Sequence, residues 1–120
     1  PDGVRVVRVD RGEDIPLYRF EAPLHTTKDY DTGPTFENPK NALLYAAVYV
    51  AVGPFREEKT GRRGVPPAVA KAGREALVAY LTTQKGMSIQ WAAQYFDIEE
   101  STVHEYRSRI RARAEQEADE

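Results

Sequence analysis

The amino-acid sequence predicts a mainly α fold with a small N-terminal β-hairpin and a C-terminal domain of three helices. Three observations predict it. Two short β-branched runs, Val4–Val9 and Ile15–Phe20, flank a turn that carries Gly12. A long apolar run, Asn41–Val52, lies between Asn38-Pro39 and Gly53-Pro54, which are helix start and stop signals. From Pro66 onward, apolar residues recur three and four apart. At 120 residues the chain can build one modest core. Its expected organisation is a hairpin and irregular arm over 1–37, an apolar helix and charged connector over 38–65, and the three-helix domain over 66–120.

The hairpin strands alternate in part and are rich in β-branched residues, while Asp10–Asp14 supplies turn chemistry. Pro16 lacks a backbone N–H, which puts the second strand at an edge or makes Pro16 its first residue. An isolated hairpin is marginal in water, so it must pack on helices or on a second subunit. Residues 21–37 show no sustained period and read as a long structured loop. His25, Asp29 and Asp31 cluster there and could in principle hold a metal. One histidine and two acids in a loop are more often solvated, so no metal site is assigned.

The run from Asn41 to Val52 is apolar nearly all round. Its caps favour a buried helix, although Val48, Val50 and Val52 also alternate as a strand would. Such an element needs cover on every side, either from the rest of the chain or from a second copy. Phe55–Val65 is a charged connector, in which Arg56, Lys59, Arg62 and Arg63 could touch phosphates or simply remain solvated. Pro66-Pro67 opens a helix whose stripe runs through Val69, Ala76, Leu77, Tyr80 and Leu81 to an end near Gln84, with Gly86 beyond it. Gly73 lies inside that helix and lowers its propensity by roughly 1 kcal/mol relative to Ala, which suggests a close helix crossing.

The last third of the chain is the most informative. Ser88 can cap a helix in which Ile89, Ala92, Ala93 and Phe96 share one face. Ala93 is small where two helices would approach. Asp97 falls where the turn needs a left-handed residue, which Asp tolerates better than most. Ile98 plugs the turn. A second helix begins near Glu99 or Glu100, with Val103, Tyr106 and Ile110 as its inward stripe. Together these features form a helix-turn-helix pattern.

The run Phe96–Val103, followed by Tyr106 and an arginine-rich helix, resembles the C-terminal DNA-binding domain of bacterial sigma factors. It also looks like the C-terminal helix-turn-helix of haloarchaeal bacterio-opsin-activator-type regulators. The resemblance covers the last third of the chain. It implies a small transcriptional regulator of archaeal type, reading the major groove of double-stranded DNA with the helix from about Glu100 to Arg113. Ser101, Thr102, His104, Glu105 and Ser108 are the candidates for base edges. Arg109 and Arg113, with Arg107 behind them, are the candidates for phosphates. Trp91 reads as packing, although an exposed indole could bond a phosphate. Small readers of this kind pair to span two half-sites, so a homodimer is expected, with the hairpin or the 41–52 element as its contact.

Composition bounds the alternatives. The absence of cysteine excludes a disulfide framework and a thiolate metal site. No run approaches the ~20 apolar residues that span a bilayer, and no basic-apolar-small leader opens the chain, so a cytoplasmic protein without a membrane partner is expected. No Gly-rich phosphate loop or recognisable acid pair appears, which argues against an enzyme, and no motif announces a cofactor or small-molecule ligand. The net charge of −2 is unusual for a DNA binder. Residues 66–114 carry a small positive excess, reversed by the acidic end Glu115–Glu120. Weak electrostatic affinity or a high-salt host would both fit. Glu99, Glu100 and Glu105 oppose phosphate binding, although acids suit a helix start and Glu105 could accept from a cytosine amino group. The competing expectation is a protein-interaction module of a transcription or replication assembly.

Overall fold

The structure is a computed structural model that describes residues 4–22, 34–53, 55 and 65–118. Strands β1 (Arg5–Arg11), β2 (Asp14–Glu21) and β3 (Thr35–Phe36) form an antiparallel sheet in the order β1-β2-β3. Helices α1 (Pro39–Val52), α2 (Pro67–Lys71), α3 (Arg74–Leu81), α4 (Ile89–Phe96) and α5 (Glu100–Ala118) follow. The fold is therefore mostly helical with a small N-terminal sheet. No helix among the described residues is long and apolar enough to cross a membrane.

The hairpin closes through Gly12 and Glu13, with Gly12 at φ 69°. A two-residue hairpin loop needs positive φ to match the strand twist, and Gly reaches it without steric cost. The register shifts between Val9 and Arg11, opposite Ile15 and Pro16. Pro16 thus sits at an irregularity where its missing N–H breaks no regular ladder. It lies outside the stretch that β3 pairs, Tyr18 and Arg19. Arg5 faces Glu21 across the ladder, and its Nε donates to Glu21 Oε1 at 2.7 Å. Arg19 reaches the other oxygen of Glu21 at 3.0 Å. The bond from Arg5 is the main cause holding the Glu21 carboxyl below its ordinary range, against a weaker opposing effect of burial.

Two expectations are corrected here. Residues 21–37 are not irregular throughout, because Glu21 ends β2 and Thr35–Phe36 forms a third strand. The helix expected from Pro66 to Gln84 is two helices. Gly73 takes φ 108°, which a helix cannot contain, and nothing lies within 4 Å of where its Cβ would be. It marks a break, therefore, and not a close crossing. The helix also stops at Leu81, before Gln84. There Thr82 Oγ1 donates to the Val78 and Ala79 carbonyls, both at 3.0 Å, and Thr83 Oγ1 donates to the Tyr80 carbonyl at 2.6 Å. The Val78 and Tyr80 carbonyls also accept the backbone N–H groups of Thr82 and Thr83, both at 3.1 Å, so the hydroxyls add second bonds to the last turn. The His25, Asp29 and Asp31 cluster lies outside the described residues, as do Arg56, Lys59, Arg62 and Arg63.

The run after Asn38 is a helix. Asn38 Oδ1 accepts from the Lys40 N–H at 2.7 Å, and Pro39 opens the first turn. Cover comes from this chain on most sides, and Leu43 remains 60% exposed. Tyr45 lies at the centre of the main core, with the rings of Phe20, Phe36, Phe55 and Tyr80 between 5.0 and 5.9 Å away. That core runs without interruption from Phe20 in the sheet to Ile110 in α5. A second, smaller core holds Val78 of α3, Ala92 and Ala93 of α4, and Val103 of α5. Trp91 packs against both cores.

Candidate functional site: the α4–turn–α5 unit and the two faces of α5

The start of α4 is fixed by Ser88, whose Oγ accepts from the Trp91 N–H at 3.0 Å. Its end is fixed by Asp97, which adopts φ 55° and ψ 52°. The Ile98 N–H then reaches back to the Ala93 carbonyl at 2.9 Å, and the Asp97 N–H to the Gln94 carbonyl at 3.4 Å. This is the paired closure of a helix that ends on a left-handed residue, with Ile98 folded onto the small core as its apolar contact. Three residues, Asp97 to Glu99, separate α4 from α5. The Glu99 carbonyl begins the next helix by accepting from the Thr102 and Val103 N–H groups at 3.0 and 3.2 Å.

Asp97→Val is expected to destabilise the protein by about 1–3 kcal/mol, since a β-branched side chain is strained at positive φ. Asp97→Gly is expected to be neutral or mildly stabilising. Thermal or urea unfolding checks the pair. A valine variant as stable as the parent would mean the left-handed turn is not what closes α4.

α5 turns two different faces to its surroundings. Val103 and Ile110 are fully buried, and Tyr106 and Ala114 are half-buried beside them. Ser101, His104, Glu105 and Ser108 lie exposed on the opposite side, and Thr102 is half-buried at its flank. A step of about 100° per residue brings Ser101, His104, Ser108 and Arg111 along one outer strip.

The arginines have four different environments. Arg109 donates to Glu75 at 3.2 Å and also bonds Glu105 one turn before it. The hydrogen bond to Glu75, followed by the charge of Glu105, raises its already high pKa. Its charge is therefore largely matched within the chain. Arg113 Nη2 donates to the Ala51 carbonyl at 3.3 Å, at the end of α1. Arg111 is exposed and makes no ion pair or hydrogen bond among the described residues. It belongs on the outer strip, although its side chain was not among the residues singled out from sequence.

Arg107 is the correction in this set. It is only 9% exposed and lies on the inward side with Val103 and Ile110. Positions 103, 107 and 110 follow helical spacing as well as 103, 106 and 110 do, and the structure buries the arginine more than the tyrosine. Burial, together with the nearby charge of Arg111, lowers its pKa from the ordinary arginine value. Its guanidinium is not available to an outer partner of α5. It lines a cleft of about 770 Å³ bounded by β3, the start of α1, the loop after α3 and the start of α4.

Among the described residues, no group of three histidine or acidic side chains is placed to hold a metal ion. Comparison of the chain with family models, with curated proteins and with solved structures returned no match in any of the three.

Proposed function

We propose that this chain is a DNA-binding protein, a small transcriptional regulator that sets the outer strip of α5 into the major groove of a duplex. One observation carries the reading: α4 and α5 are joined by a three-residue turn whose first residue, Asp97, is left-handed, and α5 keeps an exposed row of hydrogen-bonding side chains. Ser101, His104 and Ser108 would address base edges, and Thr102 would approach from the flank. Glu105 would select against phosphate and for a cytosine amino group. Arg111 is the first phosphate contact, because its charge has no partner among the described residues. Arg109 contributes after it leaves Glu75 or Glu105, and Arg113 after it leaves the Ala51 carbonyl. A pair of copies would read two half-sites, and sedimentation of the DNA complex gives that stoichiometry.

Selection from a random DNA pool at two salt concentrations, followed by anisotropy titration, tests the reading. Arg111→Ala is expected to weaken binding to all sequences alike and to reduce the salt slope by about 0.9. Glu105→Gln is expected to tighten non-specific binding, since it removes a groove-facing negative charge and frees Arg109 from one of its two acidic partners. No DNA retention at low salt by the unmodified protein would sink the proposal.

The second reading is a protein-interaction module of a transcription or replication assembly. It is favoured by the Glu75–Arg109–Glu105 cluster, which leaves that flank of α5 with excess negative charge. Under that reading DNA is not retained, and a basic protein partner is.

A further inference from the structure

We propose that the cleft beneath α5 is a binding site for a small organic anion: a carboxylate or phosphate head on an apolar body, with Arg107 meeting the head. The inference is independent of DNA binding.

Arg107 is nine-tenths buried, yet it makes no ion pair and no hydrogen bond among the described residues. No side-chain nitrogen or oxygen in the described structure is both sealed from solvent and without a partner. The guanidinium nitrogens therefore reach solvent, and Arg107 lines the cleft. Arginine stays charged in proteins and offers five donors in a planar fork. Buried charges are normally paired, because loss of hydration without a partner is costly. Arg107 thus presents its fork at the cleft wall with no partner among the described residues, where an anion entering the cleft can meet it.

The surroundings agree in charge. Lys40 and Lys85 also line the cleft, against Glu37 as the single acid among the described lining residues. The first turns of α1 and α4 border it as well, through Lys40, Asn41 and Ile89. Helix starts carry partial positive charge and favour anions. The walls also carry apolar surface from Leu17, Phe36 and Met87. The volume falls within the range typical of small-molecule sites. Inorganic phosphate would leave that apolar surface unused, so the complementary ligand has a hydrocarbon or aromatic portion.

The experiment titrates the full chain with octanoate, benzoate, phenyl phosphate and inorganic phosphate, by calorimetry and thermal shift. Saturable binding of at least one organic anion is expected, tighter than that of inorganic phosphate. The preference between phenyl phosphate and the two carboxylates identifies the head group. Arg107→Met should weaken that binding by at least about tenfold. The same variant should leave the ligand-free protein as stable as the parent or more so, because it replaces a partly desolvated charge that has no partner among the described residues. Arg107→Lys should also bind more weakly, since it keeps the charge but loses the fork. Absence of binding by all three organic anions overturns the proposal, as does undiminished binding to Arg107→Met. Inorganic phosphate binding as tightly as phenyl phosphate overturns the apolar part of the assignment. Loss of ligand-free stability in Arg107→Met would show the arginine to be a structural strut instead.

Discussion

Tyr45→Ala is expected to remove about 3–5 kcal/mol of folding stability, read as a fall in the urea midpoint at unchanged slope. Tyr45 is fully buried on α1 and is the residue around which the sheet and helices meet. Phe20 reaches it from β2, Phe36 from β3, Tyr80 from α3, and Phe55 from just beyond α1. The Phe20 ring meets it edge-on at 5.0 Å, an arrangement that adds to simple area burial. Truncation would leave a cavity among rings anchored to four separate segments, so collapse cannot fill it cheaply. A domain of this size has about 5–15 kcal/mol in total, and the variant would forfeit a large share of it. A loss below about 1 kcal/mol would show that the aromatic cluster is not the organising core.

Val103→Asp is expected to be at least as damaging, at about 4 kcal/mol or more. Val103 is fully buried among the apolar side chains of Val78, Ala92 and Ala93. Arg107, one turn further along the same side of α5, lines the cleft, and a carboxylate at 103 that does not reach it is left without a partner. A carboxylate there must either remain ionised without hydration or take up a proton. Burial raises its folded pKa above the ordinary aspartate value near 3.9. The folded state then binds more protons than the unfolded state between those two values, so stability falls as pH rises through that window. The deficit relative to the parent should therefore shrink on acidification towards pH 4. Val103→Ala is the control, at about 2 kcal/mol from lost burial and cavity alone, with no such pH dependence. Equal losses for Asp and Ala would mean that water already reaches the position.

Features governed by nearby residues were legible in the sequence. Asn38-Pro39 and Ser88 start helices where their side chains can reach the first free N–H groups. Asp97 takes the left-handed turn. The inward stripe of α5 includes Val103 and Ile110 as the spacing predicts. Features set by distant partners were not legible. β3 is two residues long and shows no period of its own, existing through its pairing with Tyr18 and Arg19. Gly73 reads as part of one helix at a close crossing, because nothing local distinguishes a helix that tolerates a glycine from one that stops at it. Arg109 is matched by Glu75, 34 positions earlier, a pairing that only the packing of α3 on α5 creates. Arg107 was expected outward because it is charged. The cleft that admits it is assembled from segments between Leu17 and Ile89, at several points along the chain, which no periodicity reveals.

β1 bonds to β2 on one side, and the sheet ends there among the described residues. A bare strand rim can template the backbone of another molecule and grow into fibrils. Here the seven-residue rim carries Arg5, Arg8, Asp10 and Arg11, all exposed, with Arg8 and Asp10 joined at 2.9 Å. A copy adding in register would bring like guanidinium groups to about the 4.8 Å spacing of neighbouring strands. That repulsion guards the rim in dilute buffer and fades as ions are added, so crowded, salt-rich preparations are where this molecule is most prone to stacking by its sheet.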